Sequence, residues 1–425
     1  FSTTLTARNR PVDVMAHTIV MVSTSYPRFP GDTVGTFLEP IAQGIAARGH
    51  AVHVVLPWHP QVDRSPVERG VHLHYFRYAP ASLSVFGYAQ GLRADVHLKT
   101  TAFLAAPLAS IAAILKTRQV ARRYGATILH GHWVIPGGVI AALAASTALP
   151  LAISLHGSDV YVAERYHFLG PVARWAFNRS SWVTACSDDL RQRAIGLGAS
   201  KDHIEVLPYG VDAKRFSPDP STGAQTRTQL GVPMDAPLIL TAGRLVRKKG
   251  FEFLIDAMAK LSLKWPELRL MIVGGGDLDA ELRQRARDAG IGHRVTFAGN
   301  VSQNAIPSYL NAADLVVVPS VRDTAGNVDG LPTFLLEALV SGTTVVTTDV
   351  GGIRSVAKDG RTAVVVPPAN ADALADAIHM MLGQPERRRA HGAAARVELQ
   401  QNRSWADFAE QLEAVYDRLT RESYR

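Results

Sequence analysis

The chain has a single cysteine, Cys186, among 425 residues. That excludes a disulfide framework or a cysteine-rich zinc site within one chain, and points to a reducing, cytoplasmic setting. Long uncharged runs are equally scarce. The longest, residues 133–155, contains Pro136, Gly137, Gly138 and Pro150. Breakers at that density divide it into a loop, an Ala-rich helix and a buried strand rather than a membrane span. Aromatic residues make up only 7%, and no basic stretch interleaves them as a base-stacking platform. Nucleic acid is therefore not an expected partner. There is no G-x-G-x-x-G after the first strand, no P-loop and no G-x-S-x-G elbow. These absences argue against a dinucleotide dehydrogenase, a P-loop enzyme and an α/β-hydrolase. Residues 1–14 are polar and irregular with no secretory pattern, and Met15 is a candidate start.

What is present suits a globular protein: 47% hydrophobic and 19% charged residues, in a chain long enough for two cores. The net charge of +8 is uneven. Residues 1–212 hold 19 basic and 13 acidic side chains, a net of +6; residues 213–425 hold 26 and 24, a net of +2. Residues 93–123 alone contain Arg93, Lys99, Lys116, Arg118, Arg122 and Arg123 against Asp95. With the uncharged run 100–115, this segment raises the expectation of peripheral contact with an anionic membrane and of a lipid-linked acceptor. A solvated basic face and a core helix are the plainer readings of the same residues.

Short β-branched runs alternate with helical patterns from residue 17 onward. Strands are predicted at 17–22, 51–56, 71–75, 127–130, 151–155, 181–185 and 204–207. Helices are predicted at about 36–48, 103–124 with an interruption at Pro107, 137–147 and 188–197. Residues 212–237 are rich in loop formers and break the pattern, so a boundary is placed near Asp212. Alternation restarts at 238–242 and runs to a last amphipathic helix from Trp405. The predicted architecture is α/β, two doubly wound domains (1–212 and 213–404) facing across a cleft, with residues 405–425 as a final helix. Ligands in such sheets sit at the carboxyl ends of strands.

The most informative stretch is 327–342. Pro332 suits a first helical position and Gly342 a left-handed helix end. The N–H groups of Thr333, Phe334 and Leu335 would then form an anion cradle, flanked by Asp329 and Glu337. A phosphate between two hydroxyl-bearing groups fits that layout, as in a nucleotide sugar; a plain capped helix fits it as well. Gly243 and Arg244 end one strand, and Lys249 and Gly250 open the next helix. Both cations could hold a diphosphate and stabilise its departure, or form a solvated basic turn beside Arg247 and Lys248. His156 ends a buried strand facing the cleft, or is a satisfied loop histidine. Asp277 and Asp279 spell D-x-D, but at a helix start the capping reading is preferred to a metal site. His130 and His132 share a face with no third ligand in view, so no metal is expected.

In combination these residues resemble the family 4 glycosyltransferases, which have the GT-B fold. The matching pieces are residues 30–35, Arg48 to His50, His156 to Asp159, residues 208–212, Gly243 with Arg244, Lys249 with Gly250, residues 274–276, Asp329 to Glu337, and Gly351 with Gly352. The likeness covers nearly the whole chain. It implies Rossmann-like domains: an acceptor-binding first half, a second half that binds a nucleotide sugar, and a last helix crossing back to the first domain. Arg244 and Lys249 would hold the diphosphate, Glu337 the ribose and Asp329 the sugar. The N–H groups of Thr333 and Phe334 would lie near the phosphate, and Gly243, Gly276, Gly330 and Leu331 would also belong to the donor site. Residues 299–301, including Val301, would lie near the base. From the first half, Gly35 would approach the phosphate and His156 the sugar.

The resemblance further implies retention of anomeric configuration, no cofactor and no bound metal. A UDP-sugar would be favoured as donor, with GDP next, and the acceptor would be a sugar, lipid-linked or small-molecule hydroxyl. A nucleotide-sugar epimerase, a sugar phosphorylase and a non-catalytic binding protein of the same fold are the alternatives. Two departures stand out. The family usually has Glu where this chain has Asp329, and Gly-Phe-Gly where it has Gly330, Leu331 and Pro332. Pro332 has no N–H, so one phosphate donor is absent.

Overall fold

The structure, a computed structural model, describes residues 16–88, 92–93, 97–98 and 100–423. The expectations for residues 1–14, Asp95 and Lys99 lie outside them.

The first unit runs β1 (Thr18–Val22), α1 (Leu38–Ala47), β2 (Ala51–Pro57), β3 (Val67–Glu68), β4 (Val71–Phe76), β5 (Leu92–Arg93), β6 (His97–Leu98) and α2 (Thr100–Tyr124). It continues with β7 (Ile128–His132), α3 (Val139–Ala144), β8 (Leu151–Leu155), α4 (Ser158–Arg165), α5 (Leu169–Arg179), β9 (Trp182–Ala185), α6 (Asp188–Leu197) and β10 (Ile204–Val206). Its main sheet has the order β10-β9-β8-β7-β1-β2-β4-β3. Every pairing is parallel except β3 with β4. Strands β7, β8 and β9 are buried at every position, as a parallel sheet covered on both faces requires.

The second unit holds α7 (Pro220–Gln229), β11 (Leu238–Ala242), α8 (Phe251–Leu261), β12 (Arg269–Val273), α9 (Asp279–Asp288), β13 (Val295–Gly299) and α10 (Ile306–Ala312). Then come β14 (Leu315–Val318), α11 (Thr333–Ser341), β15 (Val345–Thr348), β16 (Val364–Val366), α12 (Ala371–Gly383) and α13 (Pro385–Asn402). This sheet is parallel throughout, in the order β13-β12-β11-β14-β15-β16. The direction of winding reverses between β1 and β7 in the first sheet and between β11 and β14 in the second. At such switch points the loops splay apart and leave a crevice at the strands' carboxyl ends.

The last helix, α14 (Trp405–Ser423), returns to the first unit and packs on α1. Phe408, Ala409, Leu412, Val415, Tyr416 and Leu419 are buried at helical spacing. Polar groups fix its register. Glu413 takes hydrogen bonds from Arg48 Nε at 2.6 Å and pairs with His50 Nε2 at 2.7 Å. Asp417 meets His17 at 2.8 Å, and the Tyr416 hydroxyl meets His130 Nδ1 at 2.7 Å. The Arg48, Gly49 and His50 motif thus serves the helix crossing: Gly49, at φ +95°, turns the chain so that its neighbours reach one carboxylate.

Two local expectations are corrected. Pro107 does not interrupt α2, which runs through it from Thr100 to Tyr124. Pro107 is exposed, so solvent can satisfy the carbonyl it leaves unbonded. The helix expected over 137–147 is shorter, because residues 133–138 form an irregular turn before α3. Gly137 packs there against the His132 carbonyl, where a Cβ would lie 2.1 Å away.

Candidate functional site

Strand β11 ends at the second switch point and hands the chain to Gly243 and Arg244. Gly243 takes φ +151°, and a Cβ there would lie 3.2 Å from Lys249 Cε. Gly276, at φ +159°, lies against the Leu245 backbone, where a Cβ would come within 2.6 Å of the carbonyl oxygen. Neither position admits a side chain, which keeps the lysine stem close to the strand end. Arg244 is exposed at the mouth.

Residues Arg247–Lys249 form one short 3-10 turn, and their side chains part company. Arg247 swings outward to Glu281, at 2.6 Å. Lys248 and Lys249 turn inward onto Asp329: Lys249 Nζ lies 2.7 Å from Oδ2 and Lys248 Nζ 3.3 Å from Oδ1. Ser320 Oγ donates to Asp329 Oδ2 at 3.2 Å. Asp329 and Lys248 are both buried. Burial alone would raise the Asp329 pKa, but the ammonium groups of Lys249 and Lys248 outweigh it and hold the carboxyl far below its usual range. Lys248 was not singled out by sequence; as one of three consecutive cations it carried no distinguishing mark. Asp329, expected to face sugar hydroxyls, has both oxygens occupied by lysine.

The stretch 327–342 has the predicted end and a shifted start. Gly342 adopts φ +81° and stops α11. Pro332 is the residue before the first turn, in extended conformation (ψ +117°), not the first helical residue. The Leu335 N–H, expected in the cradle, instead bonds to the Pro332 carbonyl at 3.1 Å. Thr333 and Phe334 retain the N–H groups at the helix start. Glu337 accepts a hydrogen bond from Gln303 Nε2 at 2.8 Å, and burial pushes its pKa up to about 7. Gln303, a partner that sequence reasoning missed, is itself held by Arg215 Nη2 on its carbonyl at 2.6 Å. Val301 is partly buried two residues before it.

The first unit closes over this site at several backbone contacts. A Cβ on Gly330 would lie 3.1 Å from the His156 carbonyl and 3.1 Å from Cys186 Sγ. The Gln303 N–H donates to the Gly31 carbonyl at 3.1 Å. Gly35, at φ +65°, leaves no room for a Cβ, which would meet Tyr26 N at 3.0 Å. Leu331 is buried beside Gly330.

His156 follows β8 and has both ring nitrogens engaged: Nδ1 with the Tyr209 hydroxyl at 2.7 Å and Nε2 with His132 Nδ1 at 3.0 Å. Phe37 and Trp133 pack on its ring. Burial lowers its pKa to about 3, so the imidazole is neutral and acts as a positioned hydrogen-bonding group rather than a cation. His132 is that partner, and its Nε2 is buried without a hydrogen bond. Among the described residues no group of three or more His, Cys, Asp or Glu is arranged to hold a metal. Asp279 lies in the first turn of α9, the helix-start position expected of it, and pairs with Arg283 at 2.8 Å.

Two facing parallel sheets with opposed switch points, and a cation cluster at the second, define a GT-B glycosyltransferase. The family described as "Glycosyltransferase Family 4" matches residues 34–215, and "Glycosyl transferases group 1" matches residues 224–398. A GDP-mannose-dependent alpha-(1-6)-phosphatidylinositol monomannoside mannosyltransferase of Mycolicibacterium smegmatis is 34% identical over 265 residues, 60% of this chain and 69% of that protein. The Mycobacterium tuberculosis enzyme of the same description is 28% identical over 402 residues, covering 93% of this chain and 96% of its own length. Anabaena HepE, crystallised with UDP, superposes with TM-score 0.75 at 22% identity, over 95% of this chain and 100% of that one. Sucrose-phosphate synthase from Thermosynechococcus elongatus gives 0.76 at 22% identity, over 96% and 100%. These two share the fold. The chain belongs to glycosyltransferase family 4.

Replacing Asp329 with Asn leaves two lysines beside a neutral amide. The expected cost is about 3 kcal/mol, read as a lower denaturation midpoint, with Asp329→Glu retaining most of the stability. An unchanged midpoint in Asp329→Asn would show that the ion cluster does not hold the loop.

Proposed function

We propose that this glycosyltransferase moves a hexose from a nucleoside-diphosphate sugar to an acceptor hydroxyl, with retention of anomeric configuration and without a bound metal or cofactor. The observation that carries the reading is the convergence of Lys248, Lys249 and Asp329 at the β11–β14 switch point, beside the start of α11. Lys249 takes the diphosphate, joined by Arg244 at the mouth and by the N–H groups of Thr333 and Phe334. Asp329 is then the counter-ion that holds the lysine in place. Its short side chain keeps it on the lysines, and a sugar hydroxyl reaches it only as the diphosphate draws Lys249 away. Glu337 accepts from the ribose hydroxyls, next to Gln303.

In the transfer, the bond from the anomeric carbon to the β-phosphate oxygen breaks and a bond to the acceptor oxygen forms on the same face. The acceptor proton passes to the departing phosphate. Charge grows on that phosphate, and Lys249, Arg244 and the helix start stabilise it in a site closed to water by Gly330 and the His156 loop. Neutral His156, fixed by Tyr209 and His132, lies beside the sugar. The relatives' dependence on GDP-mannose moves a guanosine donor ahead of the uridine donor expected from sequence. Lipid-linked hydroxyls are the acceptor class that the same relatives suggest.

Thermal-shift measurements with GDP-mannose and UDP-glucose in parallel assign the base, and turnover is then followed on the stabilising donor. Lys249→Ala should lower turnover about 10²-fold, and chelation of metals should leave it unchanged. Wild-type turnover in Lys249→Ala would overturn the assignment. Glu337 gives a pH signature. With its pKa raised to about 7, the carboxyl is mostly protonated at low pH and ionised at high pH, and only the ionised form accepts from both ribose hydroxyls. Donor affinity should therefore rise several-fold as the pH is raised through about 7, and Glu337→Gln should flatten that rise. An identical pH profile in both proteins would contradict the ribose role.

A further inference from the structure

Helix α2 is built inside out. Its small residues face the sheet: Ala109, Ala113 and Thr117 are 0% exposed and Val120 is 2% exposed. Its large apolar residues face away, with Leu104 76%, Leu108 60%, Ile111 55% and Leu115 60% exposed. A core helix would bury its leucines, and a solvated one would replace them with polar residues. Steps of four, three and four residues put all four on one face. Continuing the same steps brings Arg118 and Arg122 onto that face, both exposed. No Asp or Glu occurs between Asp95 and Asp159, so the helix offers its arginines no partner of its own. Arg118 donates to the Leu143 carbonyl at 2.7 Å, which ties α2 to the end of α3.

We propose that this face of α2 docks on an anionic lipid bilayer, with the leucines and Ile111 entering the headgroup boundary and Arg118 and Arg122 lying among anionic headgroups. An exposed apolar stripe that runs into cations, on a helix free of acids, matches the chemistry of an interfacial segment. Charge selects this occupant over a second copy of the chain. Two such faces meeting in parallel would bring their arginines together, and meeting antiparallel would set each arginine pair on the other helix's leucines; in both cases neither helix supplies a carboxylate, whereas anionic lipid neutralises the cations. The first 212 residues carry a net charge of +6, so the long-range field favours the same approach. None of these residues belongs to the donor site, so the inference stands apart from the sugar-transfer reading.

The test is vesicle co-flotation of the full chain with phosphatidylcholine alone and with phosphatidylcholine mixed with phosphatidylglycerol. The wild-type chain should float with the anionic vesicles and not with the neutral ones. Leu108→Gln with Ile111→Gln should abolish flotation, and Arg118→Gln with Arg122→Gln should weaken it about 25-fold, from the roughly 5-fold that each cation near an anionic leaflet contributes. All four side chains are solvent-exposed and the Arg118 variant loses one exposed hydrogen bond to the Leu143 carbonyl, so melting temperature should fall little and donor-induced thermal shift should stay at the wild-type value, separating a docking defect from a folding or donor-binding one. Flotation that ignores anionic lipid, or that survives both double variants, would overturn the proposal. So would sedimentation showing a wild-type dimer that Leu108→Gln with Ile111→Gln converts to monomer.

Discussion

Two lysines share one carboxylate at the place where the second sheet reverses its winding. Lys249 and Lys248 meet the two oxygens of Asp329 there, and Ser320 adds a hydrogen bond. Like charges so close together in a partly dry site need a counter-ion, and Asp329 is the anion that the protein supplies. The arrangement is also suited to exchange. A diphosphate can take over the lysines that the carboxylate holds, and the carboxylate then becomes an acceptor for a neighbouring hydroxyl. On the proposed reading, stability without donor and affinity for donor draw on the same pair of cations.

The surrounding structure keeps that cluster in position. Gly243 leaves room for the Lys249 stem and Gly276 for the Leu245 backbone, and Gly330 brings the Asp329 loop against the His156 carbonyl and Cys186. On the opposite wall, the chain Tyr209–His156–His132 fixes a neutral imidazole, while Tyr416 bonds His130 beside it. Because Tyr416 lies on α14, the returning helix supports the floor of the first unit's cleft. The motif residues Arg48 and His50, far from the cations, act through that same helix by holding Glu413.

Much of the fold was legible because its signals are local. The β-branched runs and the helix stop at Gly342 each depend on neighbours in sequence, whereas residues 212–237, read as rich in loop formers, hold α7, started by Asp219 and Pro220. The cation pairings were not, because they depend on which strands lie side by side. Asp329 follows β14 and Lys249 follows β11, and only the strand order makes those ends adjacent. Lys248 was hidden for a geometric reason. A 3-10 turn rotates each successive side chain by about a third of a revolution, so three consecutive cations leave the backbone in different directions, and their letters do not say that two of them reach inward to one carboxylate. The partners of His156 are 24 and 53 residues away. On α2 the uncharged run was visible, but alanines and leucines both read as core until burial showed that the alanines face the sheet.

The most direct test of this account is a crystal structure of the chain with a nucleoside diphosphate bound. It predicts the β-phosphate in contact with Lys249 Nζ and the start of α11, the ribose on Glu337, and Asp329 released from Lys249. A nucleotide bound elsewhere, or bound here with the Lys249–Asp329 pair intact and the phosphate remote from both, would contradict it.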